Sequence, residues 1–126
     1  VITHTHKDHC GGARAFAGRD GAPIAGAGPH PVSRGKEGAP AFEEGADLAY
    51  TPDEILKDGA RLSGGPWTIE TVTTPGHLSN HLCFALLEEA TLFTGDHIMG
   101  WSTTEVAPPD GDMGDYLASL EKLLVR

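Results

Sequence analysis

What most limits the folds open to this chain is a dense run of ligand-grade side chains near its start, Thr3-His4-Thr5-His6-Lys7-Asp8-His9, or H-x-H-x-D-H. In an extended segment residues two apart project to the same side, so His4 and His6 can present their imidazoles to one point. The chain must then turn, which lets Asp8 and His9 reach a second point nearby. Clustered imidazoles repel when protonated and waste solvation when buried, so this grouping has little structural purpose without a metal. The preceding Val1-Ile2 reads as the end of a buried strand whose beginning is absent, and the chain as incomplete.

Two further pieces lie downstream, each at the end of an expected strand: Thr74-Pro75-Gly76-His77 and Thr94-Gly95-Asp96. Strand ends that meet at one sheet edge are where a site can be assembled from distant residues. His77 can complete the histidine set of a first metal, and a carboxylate at Asp96 can bridge two cations. Alone, Pro-Gly-His or Gly-Asp is most simply a turn. The ordered trio carries the specificity.

The pattern between these pieces predicts the supporting elements. Residues 11–17 are expected as a short helix after the histidine cluster. Residues 18–52 are rich in Gly, Pro and Ala and read as a long surface connection, with a short strand near Pro23-Ile24-Ala25. That connection either borders a substrate cleft or is a poorly ordered linker. Alternating β-branched residues predict a strand at 67–72, and residues 82–87 and 91–94 an antiparallel hairpin turning at Glu88-Glu89. Met113, Tyr116, Leu117, Leu120, Leu123 and Leu124 follow helical spacing, so an amphipathic helix capped by Asp112 closes the chain, its leucines expected in the core.

With those motifs placed, the chain resembles the metallo-β-lactamase superfamily, whose metal motifs occur in this order. The resemblance implies an α/β αββα sandwich, here one partial domain over residues 1–126 that lacks N-terminal strands and a C-terminal part. It further implies that His4, His6 and His77 hold one zinc, that Asp8 and His9 hold a second, and that Asp96 bridges them. The family's last ligand, a histidine on a later strand, has no counterpart, since no histidine follows His97. Residues 75–82, 95–102 and 108–112 look most like the branch related to β-lactamase-like protein 2, and glyoxalase II is similar mainly at the metal motifs. Zinc is the family default, although His/Asp sites also suit iron or manganese.

The implied chemistry is a dinuclear zinc hydrolase in which a metal-bound hydroxide attacks a small ester, thioester or lactone, with Asp8 orienting it and accepting its proton. A phosphodiesterase or endoribonuclease of the same superfamily is the first alternative, and an inactive metal-binding fragment the second. Charge bears on that choice. Eighteen acidic against nine basic residues give a formal charge of -9, and the basic residues are dispersed, so small molecules are favoured over RNA. No apolar run reaches the ~20 residues that span a bilayer. Two distant cysteines, Cys10 and Cys83, fit a reducing cytoplasm better than an oxidised scaffold. Oligomeric state has no signature here.

Other residues have two readings. His81 sits at the cleft rim, bonds to a carboxylate behind the ligands, or packs at a strand start; Met99 and Trp101 either wall the pocket or join the core. His30, between prolines, is expected to be a solvated loop residue. Cys10 is expected to fill a small buried space at a helix start. Asp110 and Asp112 are expected to be a turn and a helix cap.

Overall fold

A computed structural model describes residues 1–31 and 45–126. The part of the Gly/Pro-rich connection at 32–44 lies outside the described residues. The opening motif turns into α1 (Lys7–Cys10), and α2 (Ala13–Asp20) follows, so the expected helix at 11–17 is the second of two pieces. β1 (Ala25–Gly26) pairs in parallel with β2 (Glu54–Ile55). The main sheet has four antiparallel strands in order β3 (Arg61–Gly64), β4 (Trp67–Thr73), β5 (Leu82–Leu86) and β6 (Thr91–Phe93). β3 was not anticipated; its partner register, Arg61 opposite Glu70 through Gly64 opposite Trp67, makes it the first arm of a hairpin. The expected hairpin β5–β6 is present, with Phe84 opposite Phe93 and a 3-10 turn at Leu87–Glu89.

The apolar core is divided. Ala25, Ala27, Leu56, Leu82 and Phe84 form one cluster, and Cys10, Ala17, Ile24 and Tyr50 another beneath α1 and α2. Cys10 is indeed buried, although it ends α1 rather than starting a helix. A third buried set is polar, made of His4, Thr5, Thr71, Thr74, His81 and His97, all at most 1% exposed. Buried polar groups must be bonded to something, so this interior is where function concentrates.

α3 (Met113–Leu124) begins as expected, the Asp112 carboxylate accepting from the Asp115 N–H at 2.9 Å. Its leucines belong to neither buried cluster, although Leu120 and Leu123 are half-buried. Leu117 and Leu124 are 53% and 85% exposed, and Ser119 is the helix's buried residue. The helix is instead fastened through polar contacts. The Ser119 hydroxyl donates to the Pro75 carbonyl at 2.7 Å, and Lys122 Nζ reaches Asp58 Oδ1 at 2.6 Å and the Thr73 carbonyl at 3.1 Å. Trp101, at 92% exposed, likewise lies outside the core. No helix among the described residues is long and apolar enough to cross a membrane.

Candidate metal centre

Each ligand-bearing segment is set by local backbone chemistry. The segment 2–6 runs beside β1, with Ile2 N–H donating to Ala25 O and Ala27 N–H to Ile2 O, both at 3.0 Å. The expected extended run is bent at residues 3–5 and held at its two ends by isolated bridges, Ile2 with Gly26 and His6 with Ala46, and this bend brings His4 and His6 together. His77 follows Gly76, whose φ is +143° and whose missing side chain would stand 2.4 Å from the Tyr116 Cα. Only glycine permits α3 to approach the turn so closely. Asp96 follows Gly95, at φ +51°, where a Cβ would lie 2.7 Å from His81 Nε2. Both downstream turns therefore place a left-handed glycine directly before the candidate ligand.

The three histidines aim different ring atoms at a common point. His6 Nδ1 lies 3.2 Å from His4 Nε2 and 3.0 Å from His77 Nε2. Asp96 Oδ2 lies 3.9 Å from His4 Nε2 and 3.8 Å from His77 Nε2. All four ligand atoms fall within 4.8 Å of one another. The other carboxylate oxygen, Oδ1, faces His9 Nε2 at 3.1 Å, and Asp8 Oδ2 is 3.6 Å from the same nitrogen. Thus Asp96 divides its two oxygens between two histidine groups. Asp8 stands outside the close group of four, with its side chain 78% exposed.

Proton accounting tests whether a cation fits. The Glu105 carbonyl, 2.6 Å from His77 Nδ1, can only accept, so that nitrogen carries a proton and Nε2 is the atom turned inward, free to act as a ligand. Burial, reinforced by neighbouring His81, His9, His77 and His6, drives the His4 pKa far below the ordinary imidazole range, so His4 is neutral. Its Nδ1 contacts Thr3 Oγ1 at 3.0 Å. His6 Nδ1 has at most one proton and faces two ring nitrogens, so it cannot satisfy both. A buried polar atom left unpaired costs about 1–3 kcal/mol. A divalent cation at the common point satisfies all three lone pairs at once, with Asp96 supplying charge. The second nitrogens of His4 and His77, bonded from behind, are what fix ring orientation at such centres.

The surroundings reinforce this arrangement. Burial, with the nearby His77 ring, also lowers the His6 pKa, and burial with His77 and His97 pushes His81 down to about 3. His81 packs at the start of β5, its Nδ1 2.9 Å from the Thr74 hydroxyl and its ring centroid 5.0 Å from that of His4. The Thr104 hydroxyl faces the Asp96 carbonyl at 2.8 Å and the His97 carbonyl at 3.0 Å, and Tyr116 Oη donates to the latter at 3.1 Å. Asp110 accepts from the Ser79 N–H at 2.7 Å, a turn contact as expected. A cavity of about 220 Å³ opens over the group, lined among others by His6, Asp8, His77, Leu78, Glu105 and Asp110.

Sequence reasoning missed some of the supporting residues. His30 is buried rather than solvated, because its Nδ1 lies 2.8 Å from Thr5 Oγ1 in the polar interior. Thr104 and the Glu105 carbonyl act through loop geometry, which leaves no residue pattern to read.

The mixed α/β scaffold thus gathers three imidazoles and a carboxylate into a group that could hold a metal ion. The chain belongs to the metallo-beta-lactamase superfamily, whose model matches residues 1–125. Atrochrysone carboxyl ACP thioesterase of Aspergillus fumigatus is 34% identical over 131 residues, covering 98% of this chain and 33% of the relative. Lactamase-like protein GME11357 of Pestalotiopsis microspora is 31% identical, covering 100% of this chain and 33% of that protein. The chain thus spans about a third of the length of these curated relatives. Among solved structures, TTHA1623 in a di-iron-bound form superposes with a TM-score of 0.71 at 27% identity, covering 98% of this chain and 61% of that one.

Proposed function

We propose that this chain carries the metal centre of a hydrolase that cleaves a small acyl thioester or ester, with two zinc ions as cofactor. The observation that carries the reading is the division of Asp96, one oxygen toward His4 and His77 and the other toward His9. In this reading His4, His6 and His77 hold one ion, Asp8 and His9 the other, and Asp96 both. Bound there, the ions supply a water of lowered pKa and polarise the substrate's oxygen. The chain's own residues do the rest. Asp8, exposed at the cavity, takes the proton of the attacking water on its carboxylate as general base. The oxygen adds to the acyl carbon, the C–S or C–O bond breaks, and that proton passes to the departing thiolate or alkoxide.

Two observations support an acyl substrate over RNA. A relative is named a thioesterase, and the described cavity lining includes Asp8, Glu105 and Asp110 but no Lys or Arg. Phosphate recognition rests on such cations. Zinc suits a donor set of imidazoles and a carboxylate, while the di-iron form of TTHA1623 makes iron the competing occupant. The test is a panel of chromogenic thioesters, esters and bis-p-nitrophenyl phosphate with zinc- and iron-loaded protein. Turnover of a thioester or ester that chelation abolishes supports the reading. Cleavage of the phosphodiester alone moves the protein to the nuclease alternative, and no turnover with any substrate favours the inert one.

A further inference from the structure

We propose that His30 is a positioning residue for the metal centre, acting through the hydroxyl of Thr5. The inference rests on the reading above, in which His4 and His6 hold a cation, and it names what holds those two ligands from behind. Thr5 sits between the two ligands in the bend that joins the isolated bridges at Ile2 and His6. There it is fully buried, and its Oγ1 lies 2.8 Å from His30 Nδ1. Asn80 Nδ2 points at the same oxygen from 3.3 Å and also at the carbonyls of Gly28 and Pro29, at 3.1 and 3.3 Å.

An amide N–H only donates, so Asn80 gives to Thr5, and the hydroxyl, with one proton and a second lone pair left, can pair with His30 Nδ1 in either tautomer. Asn80 belongs to the turn that carries His77, and His30 to the segment leaving β1. One hydroxyl therefore ties both ligand-bearing segments to a third stretch of chain. The Thr5 carbonyl is held as well, accepting from the Asp47 N–H at 2.8 Å. Ligands must be placed within about 0.5 Å to bind well, so an anchor between two of them acts on affinity and not only on folding.

The test is zinc affinity by competition with a chromogenic chelator, together with the visible spectrum of the cobalt-substituted protein. It compares wild type, His30→Ala, His30→Asn, Thr5→Val and Thr5→Ser, all well below their unfolding temperatures. Groups behind ligands are worth roughly 10–100-fold in affinity, and His30 acts one residue further out, so His30→Ala is expected to weaken zinc about 10-fold and shift the cobalt bands. The Asn carboxamide can accept or donate at the place of Nδ1, so His30→Asn should restore most of the affinity. Thr5→Val should reproduce the loss and Thr5→Ser should not, which keeps the test intact if His30→Ala fails to fold. Wild-type zinc binding with unchanged affinity and spectra in the variants overturns this proposal alone. A wild type that binds no zinc overturns the proposed function and this inference with it.

Discussion

His4 and Asp8 belong to one short motif, yet the first side chain is wholly buried and the second is 78% exposed. The contrast extends across the centre. On the three-histidine side His77 is 7% exposed and braced by the Glu105 carbonyl, and His4 contacts Thr3 from behind. On the other side His9 is 26% exposed, its Nε2 facing the carboxylates of Asp8 and Asp96. In the proposed centre, burial with bracing makes the preorganised half, and exposure leaves the other half to meet substrate and solvent. The difference teaches that ligand spacing alone does not set how firmly a centre is built; the groups behind the ligands do.

The largest expected effect comes from breaking the braced half. His4→Ala or His77→Ala should cost more than the roughly 100-fold in kcat/KM that outer partners are worth, and should lower the bound metal by at least one equivalent. Metal analysis beside steady-state kinetics checks this, and retention of full metal by both variants would erase the distinction between halves. Asp8→Asn should be milder for metal and selective for chemistry. It removes the base while leaving the three-histidine group, so kcat should fall by about 100-fold. A kcat unchanged in Asp8→Asn would take the base role away from Asp8.

The same contrast predicts a pH dependence of the metal-free protein. His4, His6, His81 and His97 all have pKa values lowered by burial, whereas in the unfolded chain they titrate near 6.5. Above that value neither state is protonated and nothing is lost. As pH falls below about 6.5 the unfolded chain takes up protons that the folded rings refuse, so stability declines, for His81 down to a pH of about 3. Unfolding temperatures from pH 8 to 4 should therefore drop on the acid side, and His81→Asn should flatten the slope. A curve that rises toward acid pH would mean that these rings are not buried as described.

The smallest effects belong to α3. Leu117→Ser, on the exposed face, should change stability by less than about 0.5 kcal/mol, whereas Ser119→Ala, which removes the bond to Pro75, should cost about 1 kcal/mol. Denaturant titration separates the two, and the reverse order would restore the leucines to the core.

Much of this was legible because the signal was chemical. His4, His6, His77 and Asp96 could be singled out since few other roles suit such side chains at those spacings, and the structure does bring them together. β4, β5, β6 and the Asp112 cap followed from periodicity and turn residues. The leucines of α3 were misread because amphipathic spacing states which face is apolar, not whether anything covers it. His30 was misread because its prolines describe the local backbone, while its burial depends on Thr5, distant in sequence. β3 was missed because Arg61-Leu62-Ser63-Gly64 is too short to show alternation above a loop background.

The central claim is that imidazole nitrogens and a carboxylate, with no thiolate, surround a cation. X-ray absorption at the zinc edge of the reconstituted protein tests it most directly. The account predicts a first shell of nitrogen and oxygen at about 2.0–2.1 Å with the outer scattering of several imidazoles, diminished in His4→Ala. A sulfur shell at about 2.3 Å, or zinc scattering unchanged in His4→Ala, would contradict it.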